Sequence, residues 1–249
     1  MAESKAAAEA GAKRPGRRSR VERIFDHNAD TRSLFLRVVE GPLASFIPGQ
    51  FISISIPLAD ETRTRPYTIA SSPEDGEPFE LCFNRVPGGR GVDYLFERRP
   101  GDELVFTGPF GLFTIDQPPD TELIFVAVGT GIAPIRPMIR RLLSSGFQRG
   151  FHLLYGAHDE AHLLYRGELE KWARDHRDFD LELITSPANT DPARIYDRVG
   201  EIVERRWVNG DAIRARHFYI CVVGPGVQRI RDLLRASGYE RRAVKYEQW

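Results

Sequence analysis

The feature of this chain that most constrains its fold is a change of sequence pattern near the midpoint. Up to residue 118, short strand candidates follow one another with turns between them, and beyond residue 119 strands alternate with helices. The change falls in Asp116-Gln117-Pro118-Pro119-Asp120, whose polar character and two prolines are typical of a link between domains. We therefore predict one domain over residues 21–118 and a second over residues 119–249, each large enough to bury a core.

The first predicted domain has the pattern of a small antiparallel β-barrel. Its strand candidates are separated by residues that favour turns, such as Pro48-Gly49, and one short helix is expected near residues 92–97. The alternation in Phe51-Ile52-Ser53-Ile54 indicates a strand with one buried face. The strand candidates cover residues 21–27, 33–39, 51–56, 65–71, 79–86 and 102–107.

The second predicted domain has the strand–helix alternation of an α/β parallel sheet with helices on both faces. Residues 123–128 form a continuous apolar run, as expected for a strand that is buried on both sides. Further elements are strands over residues 151–155, 179–185 and 218–223, and helices over residues 134–144, 165–175 and 225–236. Ligands of such sheets bind beyond the carboxyl ends of the strands. The residues at those ends, which together predict a nucleotide site, are Gly129, Gly156, Ser186 and Gly224.

The segment Arg65-Pro66-Tyr67-Thr68 carries the strongest chemical signal of the first half. Arg65 precedes a proline and is therefore extended, so that the alternate side chains of Arg65 and Tyr67 share one face. A guanidinium group suits phosphate oxygens and a flat aromatic ring suits a planar ligand, while Thr68 adds a hydroxyl group beside the ring. Taken alone, the segment fits a ligand-binding strand and an ordinary surface strand equally well.

Two glycine-containing segments add candidate phosphate sites. Gly88-Gly89-Arg90-Gly91-Val92 opens the short helix of the first half, and Gly129-Thr130-Gly131 joins a buried strand to a helix with Pro134 near its start. Glycines let the backbone approach a ligand closely, and a helix N-terminus attracts phosphate groups. Arg85 is a further cation beside the first segment. Each segment on its own also fits a plain turn.

Five segments, taken in order, resemble motifs of the ferredoxin–NADP reductase superfamily. They are Arg65-Pro66-Tyr67-Thr68, Gly129-Thr130-Gly131-Ile132-Ala133-Pro134, Tyr155-Gly156, Gly224-Pro225 and the final Tyr246-Glu247-Gln248-Trp249. The resemblance covers nearly all of the chain from residue 21 onward. It implies a flavin-binding antiparallel β-barrel domain, an α/β domain that binds a nicotinamide nucleotide, and an NAD(P)H-dependent flavin oxidoreductase.

The resemblance also implies roles for individual residues. Arg65 is expected to hold the phosphates of the flavin, Thr68 to lie near its N5 atom, and Tyr67 and Trp249 to lie on opposite faces of its ring. Glu247 is expected near the nicotinamide. Further expected cofactor contacts are Pro66, Arg85, Gly89, Arg90, Gly91 and Val92 for the flavin, and Gly129, Thr130, Gly131, Pro134, Gly224 and Pro225 for the nicotinamide nucleotide. The implied cofactors are FAD and, as co-substrate, NADH or NADPH.

Two positions depart from the family pattern. Val92 stands where the family usually has a serine or threonine, so a hydroxyl contact to the flavin phosphates is lost. Val223 stands where a cysteine commonly precedes the Gly-Pro pair, and the nearest cysteine is Cys221, two positions earlier on the same strand. We expect hydride transfer to lack one supporting group without being abolished.

The choice between NADH and NADPH depends on cations near the 2′ position of the adenosine. His158 and Pro187 occupy the places where NADPH-specific relatives often carry arginine. Arg194 and Arg198 are near enough in sequence to serve as phosphate partners instead. The balance of these positions leans to NADH.

Composition excludes several other classes of protein. The 35 basic and 35 acidic side chains balance, which gives no sign of nucleic acid or a membrane surface as partner. No apolar run is long enough to span a membrane, and residues 1–20 lack the apolar core of a secretion signal, so we expect a cytoplasmic protein with a disordered tail there. Cys82 and Cys221 are too few for an iron–sulfur cluster. No metal site is predicted, because the pair His158 and His162 lacks the glutamate of an H-E-x-x-H motif.

The predicted function is the transfer of a hydride from NAD(P)H to bound FAD, and then of electrons to a protein acceptor such as a ferredoxin, a flavodoxin or an oxygenase component. One alternative is a free-flavin or ferric-chelate reductase, whose acceptor is a small molecule. Another is a flavin-binding electron-transfer or regulatory subunit without independent turnover. The departures at Val92 and Val223 keep this last alternative open.

Overall fold

The computed structural model describes residues 16–41, 43–86, 88–115, 117–186, 190–191, 193–210, 212–222 and 225–247. Within these ranges the chain forms two sheets, one of six strands and one of five. None of the described helices is long and apolar enough to cross a membrane.

The six-stranded sheet is antiparallel and is built from the first half of the chain. Its elements are β1 (Arg17–Asp26), β2 (Thr31–Val38), β3 (Phe51–Pro57), β4 (Thr62–Thr68), β5 (Phe79–Asn84), the helix α1 (Arg90–Phe96) and β6 (Glu103–Phe110). The strand order is β4-β3-β6-β1-β2-β5. An antiparallel bridge between Ile69 and Leu81 joins the end of one edge strand to the other edge strand, β5. The sheet therefore closes on itself, and the predicted barrel is confirmed.

The interior of the barrel follows from the alternation of apolar and polar residues. In β3, Ile52, Ile54 and Ile56 are fully buried, whereas the serines between them are partly exposed. Each fully buried side chain of this size contributes about 1.5–3 kcal/mol relative to exposure. The strand therefore has one face in the barrel interior and one face that is partly exposed to solvent.

The five-stranded sheet is parallel and is built from the second half. Its elements are β7 (Leu123–Val128), α2 (Ile132–Ser144), β8 (Phe151–Ala157), α3 (Arg166–Asp175), β9 (Phe179–Thr185), α4 (Arg194–Val203), β10 (His217–Cys221), α5 (Pro225–Ala236) and β11 (Val244–Glu247). The strand order is β11-β10-β7-β8-β9, so that β7 lies at the centre. The predicted α/β parallel-sheet domain is thus confirmed.

Every residue of β7 is buried, as its continuous apolar run predicts. Phe125 and Ala127 pack with Ile135 and Met138 of α2 on one face of the sheet. Residues Ile124, Val126 and Val128 pack in the core on the opposite face, beside α4 and α5. Because successive side chains of a strand point to opposite faces, one uninterrupted apolar segment supplies both cores.

The barrel begins earlier than the predicted boundary at residue 21. β1 starts at Arg17, so residues 17–20 belong to a strand and not to a tail over residues 1–20. The cause is cross-strand pairing, since Arg18 and Arg20 each donate to Glu103 of β6 at 3.1 Å. Ser19, between them, is fully buried. Residues 1–15 lie outside the described ranges.

Two elements of the second half were absent from the sequence prediction. The helix α4 buries Ile195, Val199 and Ile202 on one side, a spacing of four and three residues that is typical of a helix. The strand β11 has only four residues and is recognisable through its parallel register with β10. A four-residue strand carries too little periodicity to be recognised from sequence alone.

The segment between the two sheets packs against the second one. Phe113 and Ile115 are buried in the core beside α2, and the ring of Phe113 lies 6.0 Å from that of Tyr219 in β10. We propose that the boundary between the domains falls in this segment, close to the predicted position at residue 118.

A buried polar cluster joins the two domains. Glu80 of β5 is only 4% exposed, and its carboxylate accepts hydrogen bonds from Arg136 of α2 at 2.8 Å and from the Tyr165 hydroxyl at 2.8 Å. Arg136 also donates to Glu168 at 2.5 Å and to the carbonyl of Ala70 at 3.1 Å. Burial would lower the pKa of Arg136, but its hydrogen bond with Glu168 and the charge of Glu80 raise it, so the guanidinium stays charged. This cluster sets how the second sheet sits against the barrel.

Candidate active site

A cavity of about 270 Å³ opens on the barrel between β4 and the start of α1. It brings together six of the residues that the sequence proposed as flavin contacts. These are Arg65, Tyr67, Gly89, Arg90, Gly91 and Val92. The remaining lining residues are Leu58, Arg63, Val86 and Gly88.

The strand β4 supplies one side of this cavity. Its lining residues Arg63, Arg65 and Tyr67 are spaced by two, so their side chains share one face of the strand. Arg63 was not among the predicted residues, although the same spacing would have indicated it. The Tyr67 ring packs edge-on against Phe83 at 5.3 Å, and burial raises the pKa of its hydroxyl to about 12. Tyr67 is therefore neutral near pH 7 and presents a fixed ring to the cavity.

The glycines at the start of α1 supply the other side. A Cβ atom on Gly89 would lie 2.9 Å from the Val86 carbonyl oxygen. One on Gly91 would lie 3.1 Å from Ile56 Cδ1 and 3.5 Å from Arg65 Cγ. These glycines thus keep open a space that a larger residue would fill beside Arg65.

The charge of the cavity is positive. Arg90 pairs with Asp60 at 2.6 Å, and this hydrogen bond lowers the pKa of the Asp60 carboxyl. Arg65 donates to the Thr64 carbonyl at 3.0 Å and has no carboxylate partner in the part of the chain that the structure describes. A guanidinium group with spare donors is suited to phosphate oxygens. The cavity therefore fits the diphosphate of a flavin dinucleotide.

Three predicted flavin contacts are not among the residues that line this cavity. Arg85 pairs with Asp93 at 3.1 Å, and its guanidinium lies 4.4 Å from the centre of the Phe96 ring. Pro66 and Thr68 alternate with Arg65 and Tyr67 along β4 and therefore belong to the opposite face of the strand. Pro66 is exposed there, and Thr68 is buried. Arg85 therefore acts first as a partner of α1.

A second cavity, of about 430 Å³, lies between the domains at the carboxyl ends of β7 and β8. We call it the crevice. The second domain contributes Val128, Gly129, Thr130, Ala157, His158, His162, Leu164, Asp191, Ala193, Ile195 and Tyr196, and the barrel contributes Asp30, Thr31 and Asn84. The barrel residues were not predicted, because no local pattern marks them as facing another domain.

The turn Gly129-Thr130-Gly131 occupies the centre of the crevice. Gly129 has φ +56°, in the left-handed region that favours glycine. A Cβ atom on Gly131 would lie 2.0 Å from the Cys221 carbonyl oxygen, so only glycine lets β10 approach this closely. The Thr130 hydroxyl donates to Asn84 of β5 at 3.2 Å. Pro134 is buried in the first turn of α2, consistent with its predicted place near the helix start.

Glu247 ends β11, the edge strand that lies next to β10. In the parallel register Glu247 pairs with Cys221, the residue whose carbonyl lies against Gly131. Its Oε2 atom is buried without a hydrogen-bond partner among the described residues, and burial raises the pKa of the carboxyl to about 7. The hydroxyl of Ser186, which follows β9, is likewise buried without a partner among those residues. Orphaned polar atoms at strand ends are suited to complete their hydrogen bonds with a ligand.

Some predicted residues lie outside the described ranges or have other partners. Gly224 and Trp249, together with Val223 and Pro187, are outside those ranges, and Pro225 is the first residue of α5. Arg194 pairs with Asp197 at 3.5 Å. Arg198 donates to the carbonyl of Thr185 at the end of β9. Both arginines that the sequence offered as phosphate partners thus have protein partners.

Both cysteines are buried, as predicted, and no disulfide bond joins them. Burial raises the pKa of the Cys82 thiol to about 12, so the thiol is not ionised near neutral pH. Cys82 therefore does not act as a thiolate nucleophile.

Fold and cavities together define the class of protein: a β-barrel with a cationic cavity, joined to a parallel-sheet domain with a crevice at its strand ends. Residues 19–115 match the family described as "Oxidoreductase FAD-binding domain", and residues 125–229 match "Oxidoreductase NAD-binding domain". Ferredoxin–NADP reductase B of Sorangium cellulosum (strain So ce56) is 34% identical over 224 residues, which cover 88% of this chain and 91% of that protein.

Two further comparisons agree. The reductase component of propane 2-monooxygenase from Rhodococcus jostii (strain RHA1) is 30% identical over 238 residues, covering 93% of this chain but only 63% of that protein. A ferredoxin–NADP⁺ reductase from Neisseria gonorrhoeae, solved with bound FAD and NADP, superposes with a TM-score of 0.81 at 16% identity and covers 95% of this chain and 99% of that one. The chain belongs to the ferredoxin–NADP reductase superfamily. It is an NAD(P)H-dependent flavin oxidoreductase, with FAD and a nicotinamide nucleotide as cofactors.

Proposed function

We propose that this reductase takes its electrons from NADH in preference to NADPH and delivers them to a protein acceptor such as a ferredoxin, a flavodoxin or an oxygenase component. The two curated relatives described above are a ferredoxin–NADP reductase and the reductase component of a monooxygenase, which supports an acceptor of this kind. The chain spans less than two thirds of the second relative, so its acceptor is inferred from chemistry and not from that protein as a whole.

The observation that carries the proposal is the position of the end of β5. Phe83 packs against Tyr67, which lines the barrel cavity. The next residue, Asn84, accepts a hydrogen bond from Thr130 at the centre of the crevice. Two consecutive residues of one strand thus connect the candidate flavin cavity with the candidate coenzyme turn. This adjacency supports a single reaction site to which both cavities contribute.

The residues would divide the work as follows. When bound, FAD accepts a hydride from the nicotinamide nucleotide and passes the electrons onward, one or two at a time. Arg65 would hold the flavin phosphates beside Arg63, which pairs with Glu61, and Tyr67 would orient the ring system. Gly131 would let the turn that carries Gly129 and Thr130 pack against β10 at Cys221, which fixes the turn for the coenzyme. Trp249, which lies outside the described residues, remains the proposed cover of the opposite flavin face, and it would move aside for the nicotinamide.

Glu247 has a distinct role in this scheme. Its carboxyl is buried near the proposed nicotinamide position, and its pKa of about 7 leaves it partly protonated at neutral pH. A protonated carboxyl can donate a hydrogen bond and an ionised one can accept. Glu247 would therefore hold and orient the polar edge of the nicotinamide, and Thr68 would do so for the flavin.

The preference for NADH follows from the charges in the crevice. Among its lining residues the charged side chains are the acidic Asp30 and Asp191, which lie there with His158 and His162. The lining includes no lysine or arginine within the described residues. A 2′-phosphate is usually held by an arginine, whereas a free 2′-hydroxyl requires no cation.

An anaerobic titration with NADH and with NADPH, followed through the flavin absorbance, tests the proposal. We expect both to bleach the flavin and NADH to do so at least tenfold faster. Equal or faster bleaching by NADPH would contradict the coenzyme preference. A flavin that stays oxidised with both would contradict the reductase function and favour a subunit without independent turnover.

The acceptor is tested separately under steady NADH supply. We expect faster turnover with an added ferredoxin or flavodoxin than with free FMN or ferric citrate at matched concentration. The reverse order would favour the free-flavin or ferric-chelate reductase.

A further inference from the structure

Side chains that can ligate a metal ion converge at the mouth of the crevice. His158, Asp159 and His162 each offer one ligand atom, and these three atoms lie within 4.8 Å of one another. Asp30 approaches from the barrel, with its Oδ1 atom 3.2 Å from His162 Nε2. The four residues define what we call the His–Asp cluster.

Backbone structure holds the cluster in place from both domains. Asp159 accepts a hydrogen bond from the amide of His162 at 3.1 Å and thereby caps the 3₁₀ turn Glu160–His162 that follows β8. This turn brings the rings of His158 and His162 to 3.6 Å between centroids. On the barrel side, Asn28 donates to the carbonyl of Ala161 at 3.1 Å and fastens the β1–β2 turn, which carries Asp30, to the same turn.

His162 lies between two carboxylates. Its Nδ1 atom is 2.7 Å from Asp159 Oδ1, and its Nε2 atom is 3.2 Å from Asp30 Oδ1. A neutral imidazole has one N–H group and can donate to only one of them. The other ring nitrogen then faces a carboxylate oxygen with its lone pair, an arrangement that a cation shared by the two atoms stabilises.

The distances suit a small divalent ion with nitrogen and oxygen ligands. Ligands of a tetrahedral zinc ion bind at about 2.0–2.1 Å, so neighbouring ligand atoms are about 3.3 Å apart. The observed separations are 2.7 Å between His162 Nδ1 and Asp159 Oδ1, and 3.5 Å between His158 Nε2 and Asp159 Oδ2. Asp30 Oδ1, at Nε2 of His162, would fix the orientation of this ring, as carboxylates commonly do for metal-bound histidines.

We propose that the His–Asp cluster binds a divalent transition-metal ion of the zinc class and that this ion competes with the nicotinamide coenzyme. The competition rests on the proposed function, because Asp30, His158 and His162 line the crevice that we assign to the coenzyme. The ion would narrow the entrance, and the contact between Asp30 and His162 would connect its site with the barrel. Two imidazoles and carboxylates favour zinc-like ions over Mg²⁺, which prefers oxygen ligands alone.

Zinc binding to the FAD-loaded full chain, measured by equilibrium dialysis after chelator treatment, tests the site. We expect one Zn²⁺ ion per chain, a loss of affinity of at least about tenfold in His158→Gln and in His162→Gln, and a smaller loss in Asp30→Asn. His176→Gln is the matched control, because His176 is an exposed histidine of the same domain that lies outside the cluster. Co²⁺ gives an independent signal through its visible absorption. Unchanged flavin absorbance and melting temperature would exclude misfolding of the variants.

Three outcomes are decisive. Zinc affinity that is unchanged in both histidine variants, or zinc that equimolar Mg²⁺ displaces, would overturn the metal site. Zinc that is weakened by the variants and also by saturating NAD⁺ would support the whole inference. Zinc that is weakened by the variants but not by NAD⁺ would uphold the site, overturn the competition, and place the error in the assignment of the crevice to the coenzyme.

Discussion

The two cavities of this reductase are built in opposite ways. The barrel cavity takes all its lining from residues 58–92 of one domain and is surrounded by Arg63, Arg65 and Arg90. The crevice takes its lining from both domains, over residues 30–196, and its charged side chains are acidic. The cationic cavity suits a tightly held dinucleotide, whereas the crevice suits a coenzyme that enters and leaves. A site made within one domain depends on local structure, and a site made between domains depends on their docking.

The largest expected effect comes from breaking the docking itself. Arg136→Met removes the cation that pairs with the buried Glu80 at 2.8 Å. Removing one partner of a buried ion pair leaves an uncompensated charge and costs about 3–5 kcal/mol. We expect this loss in the free energy of unfolding by urea. Among the molecules that remain folded, we expect the affinity for NADH to fall more, relative to the parent, than the affinity for FAD.

The control for this change is the double variant with Glu80→Gln, which removes the buried charge as well. We expect it to recover part of the lost stability. Equal stability of Arg136→Met and the parent would show that the Glu80–Arg136 pair does not hold the domains together.

The second effect is confined to the crevice. Gly131→Ala places a Cβ atom 2.0 Å from the backbone carbonyl of Cys221, which cannot rotate away. Forced overpacking of this kind costs about 1–3 kcal/mol, and the backbone contact puts this case at the upper end. We expect lower stability in thermal unfolding, weaker NADH binding and unchanged FAD affinity.

Gly167→Ala is the matched control for Gly131→Ala. Gly167 lies in α3, and an added Cβ atom would meet nothing within 4 Å. We expect a neutral or slightly stabilising effect. A Gly131→Ala variant that is as stable as the Gly167→Ala variant and binds NADH equally well would contradict the close packing of this turn against β10.

The third effect is a pH dependence of stability that comes from Glu247, at the end of β11. The folded pKa of Glu247, about 7, is above the ordinary value of 4.5. The folded chain therefore holds the proton more tightly, and the stability from this group falls as pH rises from about 4.5 to 7 and is constant above. Glu247→Gln lacks this loss, so its advantage over the parent grows across that window to about 2–3 kcal/mol.

Urea unfolding of the FAD-loaded parent and of Glu247→Gln, without coenzyme, measures this difference at pH 4.5, 6 and 8. The contributions of other groups cancel in the comparison. A difference that stays constant from pH 4.5 to 8 would contradict a raised pKa at Glu247, and a change in FAD affinity would contradict its proposed role at the nicotinamide.

The smallest expected effect is on the barrel cavity. Arg65→Ala removes a guanidinium that has no carboxylate partner among the described residues, and hydrogen bonds to charged groups contribute about 1.5–3 kcal/mol. We expect FAD affinity, measured by flavin fluorescence, to fall by about thirtyfold for a loss of about 2 kcal/mol. Arg85→Gln should change it by less than about threefold, because Arg85 already pairs with Asp93. An equal loss of FAD affinity in both variants would contradict the assignment of the flavin phosphates to Arg65 in preference to Arg85.

Much of the fold was predictable because its signals are local. The run of residues 123–128 coincides with β7, and Phe179–Thr185 is β9 as predicted. The alternation of Arg65 and Tyr67 placed both side chains in the barrel cavity without knowledge of any other strand. The helix α4 is absent from the sequence prediction, although its apolar residues Ile195, Val199 and Ile202 have a regular helical spacing.

The sequence by itself determined the barrel, the parallel sheet and the cationic cavity, since strand alternation and glycine positions act over a few residues. Only the tertiary structure decided which residues face the crevice. Asp30 and Asn84 belong to the barrel, yet they contact His162 and Thr130 of the other domain. It also decided that Arg85, Arg194 and Arg198 have protein partners. The physical reason is that contacts between domains, and competition among charged partners, depend on packing that no local sequence pattern encodes.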